Sequence, residues 1–100
     1  MSATIINGRR LADEAIQGVM AAARELPRCP GLGVVIVGDD PASHIYVRGK
    51  QKRALEAGFL TEVVSLTEDT SEREVLETIG TLNARDEIDG ILVQLPLPSL

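Results

Sequence analysis

The apolar stretch LGVVIVG, residues 32–38, constrains the fold of this chain more than any other feature. A strand with one face in water alternates apolar and polar residues, whereas this stretch is apolar at successive positions. Such a run is typical of a central strand in a parallel sheet, which is covered on both faces. The sequence therefore predicts a sheet with helices packed against both of its sides.

Three further stretches are predicted to be strands. Residues 4–6, TII, are rich in β-branched side chains and are followed by the turn pair Asn7-Gly8. Residues 60–66, LTEVVSL, form the next strand in the same way. Residues 89–98, DGILVQLPLP, contain the mostly apolar run GILVQL, which two prolines end. We therefore expect four strands.

Three amphipathic helices are predicted between these strands, because apolar residues recur three and four positions apart in each intervening segment. Residues that favour helix starts and stops mark their ends. The apolar repeat of the first helix runs from Leu11 to Leu26, before Pro27. The second helix is predicted to start at Asp40 and Pro41 and to end before Gly58. The third is predicted to start at Ser71, which forms a capping-box pattern with Glu74.

The resulting order, β-α-β-α-β-α-β, predicts the α/β class with an open parallel sheet and helices on both faces. One hundred residues suffice for one domain with a modest core, so the predicted domain occupies residues 1–100. No helix is predicted after the last strand. We therefore expect this chain to be the first part of a longer protein.

Composition narrows the range of partners. The net charge of −5 disfavours nucleic acid and anionic membranes as general partners, and the 44% of apolar residues is typical of a globular chain. The single cysteine, Cys29, has no disulfide partner and fits no metal-ligand spacing. The chain carries no signal-peptide pattern and no apolar run long enough to span a bilayer. We expect a cytoplasmic protein without a metal.

Ligands of open parallel sheets bind beyond the carboxyl ends of the strands, and two such ends carry unusual residues here. One is followed by Tyr46 and Lys50, which share a helix face because they are four residues apart. The only two lysines of the chain, Lys50 and Lys52, lie in this segment. Unlike arginine, a desolvated lysine can lose its proton and act as an acid or base. The other end carries Gln94, whose amide needs partners within an apolar strand.

Each of these residues also has an ordinary structural interpretation. Tyr46 and Lys50 also fit an ordinary exposed pair on a helix surface. Gln94 also fits a residue at the edge of the sheet whose side-chain amide is hydrogen-bonded within the fold. Ser43 is expected to be a first-turn helix residue, and His44 a surface histidine without an acidic or cysteine partner. The pair Asp39 and Asp40 is typical of a metal or phosphoacceptor site, although helix capping explains Asp40 equally well.

Two motifs together indicate a family. GVVIVGDDPASHIYVRGKQKRALEAGF and DGILVQLPLP closely resemble the N-terminal domain of the bifunctional 5,10-methylenetetrahydrofolate dehydrogenase/cyclohydrolase family. The likeness extends to IINGRRLADE near the start and to LNARDEIDG. It implies NADP-dependent oxidation of 5,10-methylenetetrahydrofolate to the methenyl form, and hydrolysis of that form to 10-formyltetrahydrofolate.

The resemblance also implies roles for individual residues. The tyrosine of the family motif Y-V-x-x-K stacks on folate and its lysine is catalytic, which places these roles on Tyr46 and Lys50. The glutamine of V-Q-L-P-L-P, which pairs with that lysine, corresponds to Gln94. Further expected folate contacts are the pterin-pocket residues Val93, Leu95 and Pro96 and the supporting Ser43.

Parts of the family pattern do not occur in this sequence. Neither the D-V-D-G segment with the pterin-binding aspartate nor the Rossmann NADP domain with its G-R-S-x-x-V-G loop is present. We expect no cofactor-binding residue in this chain, no dehydrogenase activity from it alone, and a homodimer formed through the cofactor domain of the longer protein. Two alternatives stay open: a receiver-like signalling module using Asp39 and Asp40, and a folate-binding domain without catalysis.

Overall fold

The computed structural model describes residues 2–99, so the two end residues of the predicted domain 1–100 lie outside the described residues. Helices and strands alternate along the chain, beginning with a helix. They are α1 (Gly8–Arg24), β1 (Gly31–Val37), α2 (Pro41–Glu56), β2 (Leu60–Leu66), α3 (Glu72–Asn83) and β3 (Gly90–Val93).

The three strands form one open sheet in the order β2-β1-β3. Both pairings are parallel, with Val34 opposite Val63 of β2 and Leu92 of β3. The predicted α/β class and the parallel sheet are therefore confirmed. The element order is α-β-α-β-α-β rather than the predicted order that began with a strand.

The predicted first strand at residues 4–6 is wrong. Ile5 and Ile6 are 92% and 78% exposed, and this segment pairs with no strand in the part of the chain that the structure describes. A β-branched run forms a strand only where its backbone finds a partner and its side chains find a surface. Asn7, predicted to be in a turn, instead caps α1, and its side chain accepts a hydrogen bond from the Arg10 amide at 3.1 Å.

Strand β1 lies at the centre of the core, as its apolar sequence predicts. Val34 and Ile36 face α2, where they pack with the buried Val47. The alternate residues Val35 and Val37 point to the opposite face, against Val75 and Leu82 of α3. Because successive side chains of a strand point to opposite faces, one continuous apolar run supplies both halves of the core.

The predicted boundaries of α2 and the predicted start of α3 are confirmed. Asp40 caps α2 and its carboxylate accepts from the Ser43 amide at 3.1 Å, with Pro41 as the first helical residue. Gly58 follows the C-cap of α2 with a φ of +85°, a conformation that favours glycine. Ser71 and Glu74 form a reciprocal capping box at α3.

Helix α1 is the least integrated element. It has no buried residue, and an ion pair of 3.5 Å between Asp13 and Arg53 joins it to α2. None of the helices in residues 2–99 combines the length and hydrophobicity needed to cross a membrane.

A charged cluster at the amino-terminal edge of the sheet joins the α1–β1 loop to the start of β3. Arg28 donates two hydrogen bonds to the Asp89 carboxylate, at 2.9 and 2.5 Å, and the Gly31 amide donates to the same carboxylate at 2.8 Å. The Arg28 guanidinium, followed by the Gly31 amide, lowers the pKa of Asp89 below its usual value near 3.8. The charged form of Asp89 therefore stabilises the fold.

We expect Asp89→Asn to lower the urea midpoint of unfolding at pH 7. Because the Asp89 pKa is lower in the folded than in the unfolded chain, its contribution is present above the unfolded value and disappears as the pH falls through the folded one. The difference between variant and wild type should therefore shrink below about pH 4. The exposed Asp86→Asn serves as the control. An equal difference at pH 7 and pH 3 would contradict this role of the Asp89 charge.

Candidate functional site

The candidate site depends on where β3 ends. Its last residue, Val93, pairs with Val35, whereas β1 continues for two more residues to Val37. The backbone N–H of Gln94 then donates a hydrogen bond to the Val35 carbonyl at 2.9 Å. Gln94 therefore lies at the carboxyl end of β3, before the level at which β1 ends.

Lys50 of α2 meets Gln94 at this level. Its Nζ donates to Gln94 Oε1 at 2.7 Å, although Lys50 is nine residues into the helix, about 13 Å along its axis. A residue so far along a crossover helix is ordinarily carried away from the ends of the strands. Two features shorten the gap: helical side chains point back towards the helix start, and β3 ends two residues before β1.

A second set of hydrogen bonds orients the side-chain amide of Gln94. Its Nε2 donates to the Leu95 carbonyl at 2.8 Å, and Ser43 Oγ donates to the same carbonyl at 3.3 Å. A carbonyl only accepts, so the amide nitrogen of Gln94 must face Leu95 and its oxygen must face Lys50. Ser43, which is only 3% exposed, ties the segment after β3 to the first turn of α2.

The remaining predicted site residues surround this pair. Tyr46 lies one helical turn before Lys50 and is 62% exposed, so its ring presents an open surface. Val93 packs into the core beneath the site, whereas Leu95 and Pro96 lie exposed beyond it. The peptide bond between Leu95 and Pro96 is cis. Both predicted halves of the site therefore adjoin one surface at the flank of α2.

Two features differ from the sequence-based expectations. Lys50, considered above as a lysine that desolvation would help to lose its proton, has an exposed side chain in this chain. His44, expected at the surface, is half-buried, and its Nε2 lies 3.0 Å from the Gly38 carbonyl. Since that carbonyl only accepts, Nε2 carries the proton and holds the turn between β1 and α2. No spacing in the sequence indicated this contact, nor the one between Ser43 and the Leu95 carbonyl.

An acidic concave surface of about 360 Å³ lies above β1, between its turn and the proline segment. Asp40 is engaged as the cap of α2, and no group of three possible metal-ligating side chains occurs within residues 2–99. The turns beyond β1 and β2 carry carboxylates, which would repel the phosphates of a dinucleotide. This surface therefore does not fit the phosphates of NADP. The lining residues are Val37, Gly38, Asp39, Asp40, Glu68, Pro96, Leu97 and Pro98.

Comparison with known families matches residues 6–100 to the catalytic domain of tetrahydrofolate dehydrogenase/cyclohydrolase. The bifunctional protein FolD of Bartonella quintana is 50% identical over an alignment of 99 positions that covers 95% of this chain and 33% of that protein. FolD of Acidiphilium cryptum is 48% identical, with 99% and 36% covered. The chain thus spans about a third of the length of these relatives.

Solved structures show the same architecture. The bifunctional FolD methylenetetrahydrofolate dehydrogenase/cyclohydrolase of Campylobacter jejuni superimposes with a TM-score of 0.94 at 37% identity, covering 98% of this chain and 36% of that one. The Trypanosoma brucei enzyme, solved with NADP cofactor and inhibitor, gives 0.90 at 32% identity, covering 98% and 35%. With the family match over nearly its whole length, this chain belongs to the tetrahydrofolate dehydrogenase/cyclohydrolase family and corresponds to part of its catalytic domain.

Proposed function

We propose that this chain is the folate-binding and catalytic N-terminal domain, residues 1–100, of a bifunctional methylenetetrahydrofolate dehydrogenase and methenyltetrahydrofolate cyclohydrolase. The observation that carries the proposal is the 2.7 Å contact between Lys50 Nζ and Gln94 Oε1 beside the open ring of Tyr46. These residues come from motifs 44 positions apart, and the fold brings them to one surface. Lys50, Tyr46 and Gln94 are the proposed catalytic set.

The proposed chemistry uses the amine of Lys50 for proton transfer. When water adds to the methenyl carbon of the cationic substrate, it must lose a proton, and the ring nitrogen that departs must gain one. Lys50 is proposed to move this proton between water and nitrogen. Gln94 presents its amide oxygen to Lys50, so it takes one N–H of the neutral amine and holds the amine in place, which leaves the lone pair of the nitrogen to accept the proton from water before that proton passes to the departing nitrogen.

Substrate positioning is assigned to the surface around that amine. The ring of Tyr46 offers an exposed face for stacking a planar aromatic group, and stacking fixes the distance between the reacting carbon and Lys50. Val93, Leu95 and Pro96 supply the apolar wall of the pterin pocket. Ser43 supports both halves of the site, because it lies on α2 and binds the Leu95 carbonyl.

NADP is proposed to bind outside residues 1–100, in the part of the longer protein that corresponds to the remaining two thirds of the relatives. Bound there, it would supply the acceptor for the hydride removed from the methylene group. We further propose a cytoplasmic homodimer that works in one-carbon metabolism and supplies formyl groups for purine biosynthesis. Because the acidic surface beyond β1 would repel the phosphates of NADP, we expect residues 1–100 alone to show no NADP-dependent oxidation of 5,10-methylenetetrahydrofolate.

The role of Lys50 is tested in a chimera in which residues 6–100 replace the matching third of the Campylobacter jejuni enzyme. Lys50→Ala should lower the rate of methenyltetrahydrofolate hydrolysis at least about 100-fold, the usual loss when a general acid–base group is removed. Arg48→Ala, which removes one charge from the outer face of α2, should retain the rate. A Lys50→Ala chimera that keeps more than a tenth of the activity would contradict the proposed role.

Stacking on Tyr46 is tested by the affinity of the chain for 5-formyltetrahydrofolate. Tyr46→Phe keeps the ring and should leave the dissociation constant unchanged. Tyr46→Ala should weaken binding by about 1 kcal/mol, which raises the dissociation constant roughly fivefold. Ile45→Ala removes a neighbouring exposed side chain and should change little. Equal affinities of the Phe and Ala variants, measured by NMR titration, would show that the ring does not contact the folate.

A further inference from the structure

Two neighbouring side chains in the first turn of α2, those of Ser43 and His44, each contact a backbone carbonyl beyond the carboxyl end of a strand. Ser43 Oγ donates to the Leu95 carbonyl at 3.3 Å, in the segment that follows β3. His44 Nε2 lies 3.0 Å from the carbonyl of Gly38, the residue directly after β1. Successive residues of a helix point about 100° apart, so these two bonds hold the first turn from two directions.

Gly38 is a firmly held point at the end of the sheet. Its N–H donates to the Leu66 carbonyl at 2.9 Å, at the end of β2. Its φ is +90°, a conformation that favours glycine. A Cβ atom at Gly38 would lie 3.3 Å from Pro98 Cγ, so the segment of residues 95–98 packs directly against it. The carbonyl that His44 binds is therefore held by β2 on one side and by this segment on another.

Apolar packing restrains the rotation of α2 about its own axis only weakly. The buried residues of this helix are Ser43, Val47 and Ala54, and none of them is larger than valine. Small side chains interlock less with a sheet than large ones do, because dispersion contacts add up over atoms. The orientation of the helix therefore depends on its polar anchors. His44 is the anchor on the flank away from Lys50, about 120° around the helix.

The rotation of α2 decides whether Lys50 reaches Gln94. A rotation of about 10° moves an atom that lies about 6 Å from the helix axis by about 1 Å. A shift of this size would lengthen the contact of 2.7 Å between Lys50 Nζ and Gln94 Oε1 beyond the range of a hydrogen bond. Misplacement of a reacting group by about 1 Å is enough to lower a rate about 100-fold.

We propose that His44 is a positioning residue for the reaction of Lys50. Its bond to the Gly38 carbonyl fixes the rotation of α2, and the rotation sets the place of the Lys50 amine relative to Gln94 and to the substrate. His44 acts through the helix rather than on the reacting atoms. The inference rests on the proposed function, because it concerns the same proton transfer by Lys50.

The tautomer of His44 provides the first test, which needs no variant. The bond requires the proton on Nε2, because a carbonyl only accepts. An imidazole ¹⁵N NMR spectrum of the wild-type 100-residue chain, at about pH 8.5 where an ordinary histidine is neutral, should show a protonated Nε2 and a bare Nδ1. His44 is the single histidine of the chain, so the signals need no further assignment. A proton on Nδ1 would overturn the proposal.

The second test measures kcat and KM for methenyltetrahydrofolate hydrolysis in the chimera described above. The amide nitrogen of His44→Gln takes about the place of Nε2, whereas the side chain of His44→Asn is too short to reach the Gly38 carbonyl. His44→Asn should lower kcat about tenfold and change KM less than about threefold, because stacking tolerates a small shift that proton transfer does not. His44→Gln should keep kcat within about twofold of the wild type.

Ser71→Ala is the matched control for stability. It also deletes one side-chain hydrogen bond at the start of a helix, the bond of 3.2 Å from the Glu74 amide to Ser71 Oγ. Loss of a cap destabilises the fold, so Ser71→Ala should lower the urea midpoint of unfolding about as much as His44→Asn does, while kcat stays unchanged. An equal loss of kcat in both variants would show that stability rather than orientation sets the rate, and would overturn the proposal.

The outcomes separate the role of His44 from the function on which it rests. An unchanged kcat in His44→Asn, or an equal loss in His44→Asn and His44→Gln, overturns the positioning role. If the wild-type chimera is active and Lys50→Ala removes its activity, the proposed function stands in either case. A wild-type chimera that does not hydrolyse methenyltetrahydrofolate would overturn both.

Discussion

The parallel register of β1 with β3 is the constraint on which the site depends. Val93 pairs with Val35, so the edge strand ends two residues before the central one. The polypeptide leaving β3 therefore passes α2 with Leu95 bound to Ser43 in the first turn and Gln94 bound to Lys50. A register shifted by two residues would move Gln94 by about 7 Å along the sheet and break its contact with Lys50. The register of one edge strand thus lets a residue in the body of a helix take part in a site at the end of a strand.

The parts of the fold that the sequence predicts are those set by local chemistry or by full burial. Asp40, Pro41 and Gly58 delimit α2 because a cap, a fixed φ and a left-handed conformation each favour particular residues. The run in β1 is apolar because both of its faces are covered. The strand predicted at residues 4–6 failed because β-branched composition says nothing about whether another strand lies beside it.

The contacts around Lys50 follow from the sequence only in part. The four-residue spacing of Tyr46 and Lys50 places them on one helix face, and a resemblance to a family linked Gln94 to them. The register that brings Gln94 to Lys50 depends on long-range pairing, which spacing along the chain does not specify. The contacts of Ser43 with the Leu95 carbonyl and of His44 with the Gly38 carbonyl escaped prediction, because backbone carbonyls leave no signal in a sequence.

The claim that Lys50 and Gln94 act as one unit is tested most directly by a double-mutant cycle on folate binding. Lys50→Ala, Gln94→Ala and the double variant would be compared with wild type for the dissociation constant of 5-formyltetrahydrofolate. Because the two side chains share a charge-assisted hydrogen bond, their effects should be coupled by about 1 kcal/mol or more. Effects that add to within about 0.3 kcal/mol would show that the two residues act independently, and would contradict a shared site.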